Sequence, residues 1–157
     1  MSNYNILITD GLDARGQSIL RDAANLTYRD STPADELINL IPDFDALIVR
    51  GQTKVTAAVF DAAAKLKVVG RAGVGVDNID LDAAKKRGVT VVNAPASTTV
   101  AVAELAMGLL LAVAREVPRA DAAMKQGQWL KKQFEGVELN GKTLGVIGFG
   151  RIGMEVG

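Results

Sequence analysis

The chain has 157 residues, and its 18 Lys+Arg balance 18 Asp+Glu, so the formal net charge is zero and no basic stripe marks a nucleic-acid surface. It has no cysteine, which excludes a disulfide framework and a thiolate metal centre, and no histidine, the usual acid/base near neutral pH. Hydrophobic residues make up 48% and aromatics only 4%, an aliphatic composition that suits a parallel sheet covered by helices on both faces.

Short β-type runs alternate with helical patterns along the chain. Asn5 to Thr9 reads as a strand and Leu12 to Ala24 as a helix with Leu12, Ile19, Leu20 and Ala23 on one side. Leu26 to Tyr28 is a second strand. Thr32-Pro33-Ala34-Asp35 is a helix start, with Thr32 as the capping hydroxyl and Pro33 at the first position. Asp45 to Arg50 is a third strand, followed by a helix from about Thr56. Lys67 to Gly70 is a fourth strand. Asp80 caps a helix that runs to Arg87 and stops at Gly88, and Val89 to Asn93 is a fifth strand. This alternation predicts βαβ units and a parallel sheet.

The pattern changes after "NAPASTT", where a domain boundary is expected. Val102, Leu105, Ala106, Leu109, Leu110 and Val113 follow helical spacing, and Met107 and Leu111 make further faces apolar. Such a helix is expected to be buried on most sides. The apolar stretch from Val100 to Ala114 contains Glu104 and is too short to span a bilayer. The N-terminus has neither the basic nor the apolar region of a secretory leader, so the expected location is cytoplasmic, with no membrane partner. Pro118 marks a break, a more polar stretch follows, and residues 127–139 are irregular around Trp129 and Phe134. Leu144 to Gly148 reads as a last strand.

Ligands of open parallel sheets sit beyond the carboxyl ends of the strands. That rule selects Asp10-Gly11, Arg50-Gly51-Gln52-Thr53, Arg71-Ala72-Gly73-Val74-Gly75 and Asn93-Ala94-Pro95. Arg50 suits a carboxylate or phosphate, or else a surface ion pair. Gly73-Val74-Gly75 is either an amide nest for an anion or a tight turn. The dinucleotide spacing G-x-G-x-x-G occurs at Gly148-Phe149-Gly150-Arg151-Ile152-Gly153, directly after the last strand pattern. Gly73-x-Gly75-x-x-Asn78 lacks the third glycine and is not a second copy of it.

The stretch "LIVRGQTKVTAAVFDAAAKLKVVGRAGVGVDNIDLDAAKKRGVTVVNAP" resembles the substrate-domain signature of the D-isomer-specific 2-hydroxyacid dehydrogenases. "AELAMGLLLAVAREVPRADAAMKQGQW" and "ELNGKTLGVIGFGRIGMEVG" resemble the branch of that family acting on 3-phosphoglycerate. The resemblance implies an α/β fold of two flavodoxin- or Rossmann-like domains. Residues 1–98 would be the substrate domain, completed by a later segment. Residues 99–157 would be the linking helix, a dimerisation arm, and the first strand and Gly-rich loop of the NAD-binding domain. The implied reaction is hydride transfer between NAD and C2 of an anionic hydroxy acid, at the entry to serine biosynthesis, in a homo-oligomer. Without catalysis, the same fold would serve an NAD-sensing corepressor. A lone flavodoxin-like module with an interaction arm is a third possibility.

Carried over by resemblance, Arg50 with Gly51 and the loop Gly73, Val74 and Gly75 bind the substrate, and Val74 also approaches the nicotinamide. Gly148, Phe149, Gly150, Arg151, Ile152 and Gly153 hold the pyrophosphate, and no metal is implied. Gly51 replaces a common Ser, and Thr98 replaces a common Asn. The family's catalytic Arg, Glu and His lie later than residue 157, so the chain is expected to be an inactive N-terminal part.

Overall fold

A computed structural model describes residues 4–157, and the chain divides after Pro95 into two compact units. The first holds strands β1 (Asn5–Ile8), β2 (Asn25–Tyr28), β3 (Ala46–Val49), β4 (Val68–Arg71) and β5 (Thr90–Asn93). Between them run helices α1 (Ala14–Arg21), α2 (Ala34–Leu40), α3 (Ala57–Ala62) and α4 (Leu81–Lys86). All strands pair in parallel, in the order β2-β1-β3-β4-β5, the flavodoxin-like winding.

Alternation along each strand sends residues to opposite faces. Leu7, Leu47, Val49 and Val69 go to one face and pack fully buried with Leu37 of α2 and Val59 and Phe60 of α3. Ile6 and Ile8 go to the other, where Leu12 and Leu20 meet them. That second face is only part-covered. An open cavity of about 340 Å³ separates α1 from β4 and β5, lined by Leu12, Ile19, Ile48, Gly70 and Val92 among others.

The two expected helix caps fare differently. Thr32 does not cap α2. Its buried hydroxyl donates to the Asp30 carbonyl, and Pro33 takes the N-cap position with no side-chain bond. Asp80 does cap α4, accepting from the Ala83 N–H, and Gly88 follows at φ +67°, the left-handed value that ends a helix.

The second unit consists of α5 (Thr99–Ala114), α6 (Val117–Lys125), a 3-10 turn at Lys131–Gln133 and α7 (Arg151–Val156). Glu116 adopts φ +53° between α5 and α6, and Pro118 enters the first turn of α6. The expected burial of α5 does not occur: of its residues only Ala103 is buried, while Leu105 is 61% and Val113 77% exposed. The short helices α6 and α7 offer too little surface to cover a helix that is apolar all round. The expected strand at 144–148 is absent as well. A strand exists only by pairing, and among the described residues every paired strand belongs to the first unit. No helix of the described residues is long and apolar enough to cross a membrane.

Candidate functional site

In this winding β1 and β3 lie side by side while their following connections depart to opposite sides, which opens a crevice beyond their carboxyl ends. A cavity of about 330 Å³ lies at these strand ends, lined by Asp10, Arg50, Gly51, Gln52, Arg71 and Ala72. Asp10 follows β1, Arg50 follows β3, and Arg71 ends β4 in register with Val49.

Two arginines therefore line one small space. Arg50 is exposed, and neither Arg50 nor Arg71 forms an ion pair among the described residues. The surface ion pair that was the ordinary alternative for Arg50 is thus not made. Arg71 Nε is buried without a hydrogen-bond partner, a state that a bound anion would relieve. The guanidinium of Arg71 lies where a Cβ on Gly73 would be, and Arg71 Nη2 is 4.0 Å from the place of a Cβ on Gly51. Arg71 thereby joins the two segments proposed for substrate. Sequence reading placed it at a strand end but assigned it no role. Its signal was the parallel with Arg50, a cation at the carboxyl end of the adjacent strand.

The loop Gly73-Val74-Gly75 is held from β5. The Ala94 N–H donates to the Gly73 carbonyl at 2.9 Å, and Asn93 Nδ2 donates to the Val74 carbonyl at 2.6 Å. The carbonyls are thus occupied, while the N–H groups of Val74 and Gly75 form no hydrogen bond among the described residues. Amides left free in the loop that meets the Arg71 guanidinium favour an anion. Asn78, where a third glycine would complete a dinucleotide motif, instead donates from Nδ2 to the carbonyls of Arg50 (3.1 Å) and Thr53 (2.7 Å).

Asp10 is the acid of the cavity. Partial burial pushes its carboxyl up, but the N–H and hydroxyl of Thr53 and the amides of Arg50 and Gln52 outweigh that and hold it below its ordinary value of 3.8. A lowered folded value means that Asp10 contributes stability above the ordinary carboxylate range. This contribution is lost as pH falls through the lowered value. The stability gap between the native chain and Asp10→Asn should therefore be full at neutral pH and shrink below about pH 4. Urea unfolding across an acid pH series checks this. A gap that persists unchanged in strong acid contradicts it.

The Gly-rich loop belongs to the second unit, and its glycines have different reasons to be glycine. Gly148 has φ +91°, in the left-handed region. Gly150, the N-cap of α7, has open space where a Cβ would stand, so a ligand can approach the backbone. A Cβ on Gly153 would run into the carbonyl oxygen of Gly148, backbone that cannot simply move aside. A pyrophosphate loop needs these same properties: a turn, an open approach and close packing. Phe149 is 69% and Ile152 38% exposed, and Arg151 opens α7. Thr98 is the N-cap of α5 and makes no side-chain cap bond.

The model of the family "D-isomer specific 2-hydroxyacid dehydrogenase, catalytic domain" matches residues 6–149. A D-3-phosphoglycerate dehydrogenase of Methanocaldococcus jannaschii is 52% identical over 151 residues, covering 96% of this chain and 29% of that protein. A hydroxypyruvate reductase of Thermotoga maritima is 46% identical over 157 residues, covering 99% of this chain and 51% of that protein. The crystal structure of an Aquifex aeolicus D-lactate dehydrogenase, complexed with NAD and lactic acid, is similar with a TM-score of 0.82 at 30% identity. That match covers 97% of this chain and 46% of the dehydrogenase. The chain therefore spans from about three-tenths to half the length of these relatives. With a flavodoxin-like sheet, a cationic crevice at its switch point and a family match over most of its length, the chain belongs to the D-isomer-specific 2-hydroxyacid dehydrogenases.

Proposed function

We propose that the protein carrying this chain transfers hydride reversibly between NAD and C2 of 3-phosphoglycerate, yielding 3-phosphohydroxypyruvate at the entry to serine biosynthesis. The observation that carries this reading is the pair of unpaired arginines, Arg50 and Arg71, lining one cavity. A hydroxy acid with both a carboxylate and a phosphate offers two anions to two guanidinium groups. The free amides of Val74 and Gly75 add donors for the carboxylate, with Gly51 leaving space for its approach and Gly73 leaving space for the Arg71 guanidinium.

Gly148, Phe149, Gly150, Arg151, Ile152 and Gly153 would hold the coenzyme's pyrophosphate against backbone amides. The open approach at Gly150 supports this fit. When bound, a nicotinamide coenzyme supplies the hydride acceptor. The residues of this chain bind and orient the substrate. The hydroxyl proton finds no imidazole here, because the chain has no histidine. Residues 1–98 act as the substrate domain, and a further segment covers its second sheet face. The part-open apolar cavity beside α1 supports that assignment. Residues 99–157 act as linking helix, arm and start of the coenzyme domain in a homo-oligomer. The uncovered apolar residues of α5 support this.

The test is NADH absorbance with the whole protein, NAD and 3-phosphoglycerate. Turnover with 3-phosphoglycerate preferred over unphosphorylated hydroxy acids is the expected result. Preference for an unphosphorylated acid, or for NADP, overturns the substrate or the coenzyme assignment. Binding of NAD without turnover of any hydroxy acid identifies an NAD-sensing binding protein instead.

A further inference from the structure

Residues 50–53 bring Arg50 to the cavity, yet they form no backbone–backbone hydrogen bond among the described residues. Their shape comes from two side chains outside the turn. Asp10 Oδ2 accepts the N–H groups of Arg50 (3.1 Å), Gln52 (3.1 Å) and Thr53 (2.9 Å), and Oδ1 accepts the Thr53 hydroxyl (2.7 Å). Asn78 Nδ2 holds the carbonyls at both ends, those of Arg50 and Thr53. Gly51 has the one N–H of the turn that is drawn to neither.

A carboxylate beside an anion site would by itself repel the ligand. Here its charge faces amide and hydroxyl donors, so the two arginines stay unneutralised. Asp10 also stands at φ +63°, a conformation in which glycine has no steric penalty. Its carboxylate is therefore the reason for a side chain at this position.

We propose that Asp10 is a positioning residue of the anion site: it clasps the 50–53 turn and so presents Arg50, with the free Gly51 amide, to a substrate anion. This rests on the substrate reading above. Asp10 touches no reacting atom and acts through Arg50.

The test uses the whole protein with Asp10→Gly, which accepts the left-handed backbone without strain, and Asp10→Asn, which removes the charge. Arg50→Ala serves as reference. Both Asp10 variants should raise the KM for 3-phosphoglycerate about tenfold, the loss expected from one charge-assisted hydrogen bond, with a far smaller change in kcat and in the KM for NAD. Amide hydrogen exchange at Gln52 and Thr53 should accelerate in both. If the Asp10 variants keep the native KM while Arg50→Ala raises it, the positioning role is wrong and the substrate reading stands. A fall in kcat at unchanged KM also overturns it, because loss of folded enzyme gives that pattern. If Arg50→Ala itself leaves KM unchanged, the substrate reading fails. The exchange data then decide whether Asp10 holds the turn: faster exchange supports the clasp, native exchange removes it.

Discussion

Arg50→Ala in the whole protein should raise the KM for 3-phosphoglycerate by about two orders of magnitude, the scale of losing a bidentate pair between a guanidinium and an anion. Arg71→Ala should do the same, because Arg71 lines the same cavity and has a buried Nε without a partner. Arg50→Lys keeps the charge but loses the fork, so it should recover only part of the affinity. The double variant should fall short of the product of the two single effects, since the two cations share one ligand. Steady-state kinetics with varied 3-phosphoglycerate at saturating NAD provides the check. Variants of either arginine with native KM would show that the cavity binds something else.

Gly153→Ala has the second large effect, and it separates two roles within one motif. The added methyl meets the Gly148 carbonyl, so the loop must distort. Overpacking of this kind costs about 1–3 kcal/mol, and coenzyme affinity should fall at least about tenfold along with the melting temperature. Gly150→Ala behaves differently, because no atom beyond the adjacent residues lies within 4 Å of the new methyl. It should reduce NAD affinity by obstructing the approach of the ligand while leaving the melting temperature near native. Calorimetric titration with NAD and thermal unfolding of the same preparations distinguish the two. If both variants bind NAD normally, the loop is not the pyrophosphate site.

The elements of the first unit were legible because each carries its own signal. β-Type runs marked Asn5 to Thr9 and Asp45 to Arg50, where the strands Asn5–Ile8 and Ala46–Val49 stand, Asp80 announced α4, and Gly88 ended it. Thr32 misled because a hydroxyl before Pro-Ala-Asp looks like a cap from the chain alone, whereas burial gave it the Asp30 carbonyl as partner. In the second unit, periodicity located α5 correctly but said nothing of what covers it. Hydrophobicity states that a surface needs a partner and leaves open whether one is present. Residues 144–148 have strand composition, yet a strand requires a neighbour in space.

The candidate site divides along the same line. Arg50, the 73–75 loop and the Gly148–Gly153 spacing could be picked out because strand ends and glycine spacing are local properties. Arg71, Asp10, Asn78 and Asn93 acquired roles only when β1, β3, β4 and β5 were laid side by side. Asp10 bonds to residues some forty positions away, and no periodicity encodes such a contact. By itself the sequence determined the alternation of strands and helices, the aliphatic core and the positions of the glycine loops, because these follow from propensity and spacing. Tertiary structure alone decided which cations remain unpaired, which amides stay free and which carboxylate is consumed as a clasp. Those are matters of three-dimensional proximity, where each donor and acceptor is claimed by the nearest group that fits.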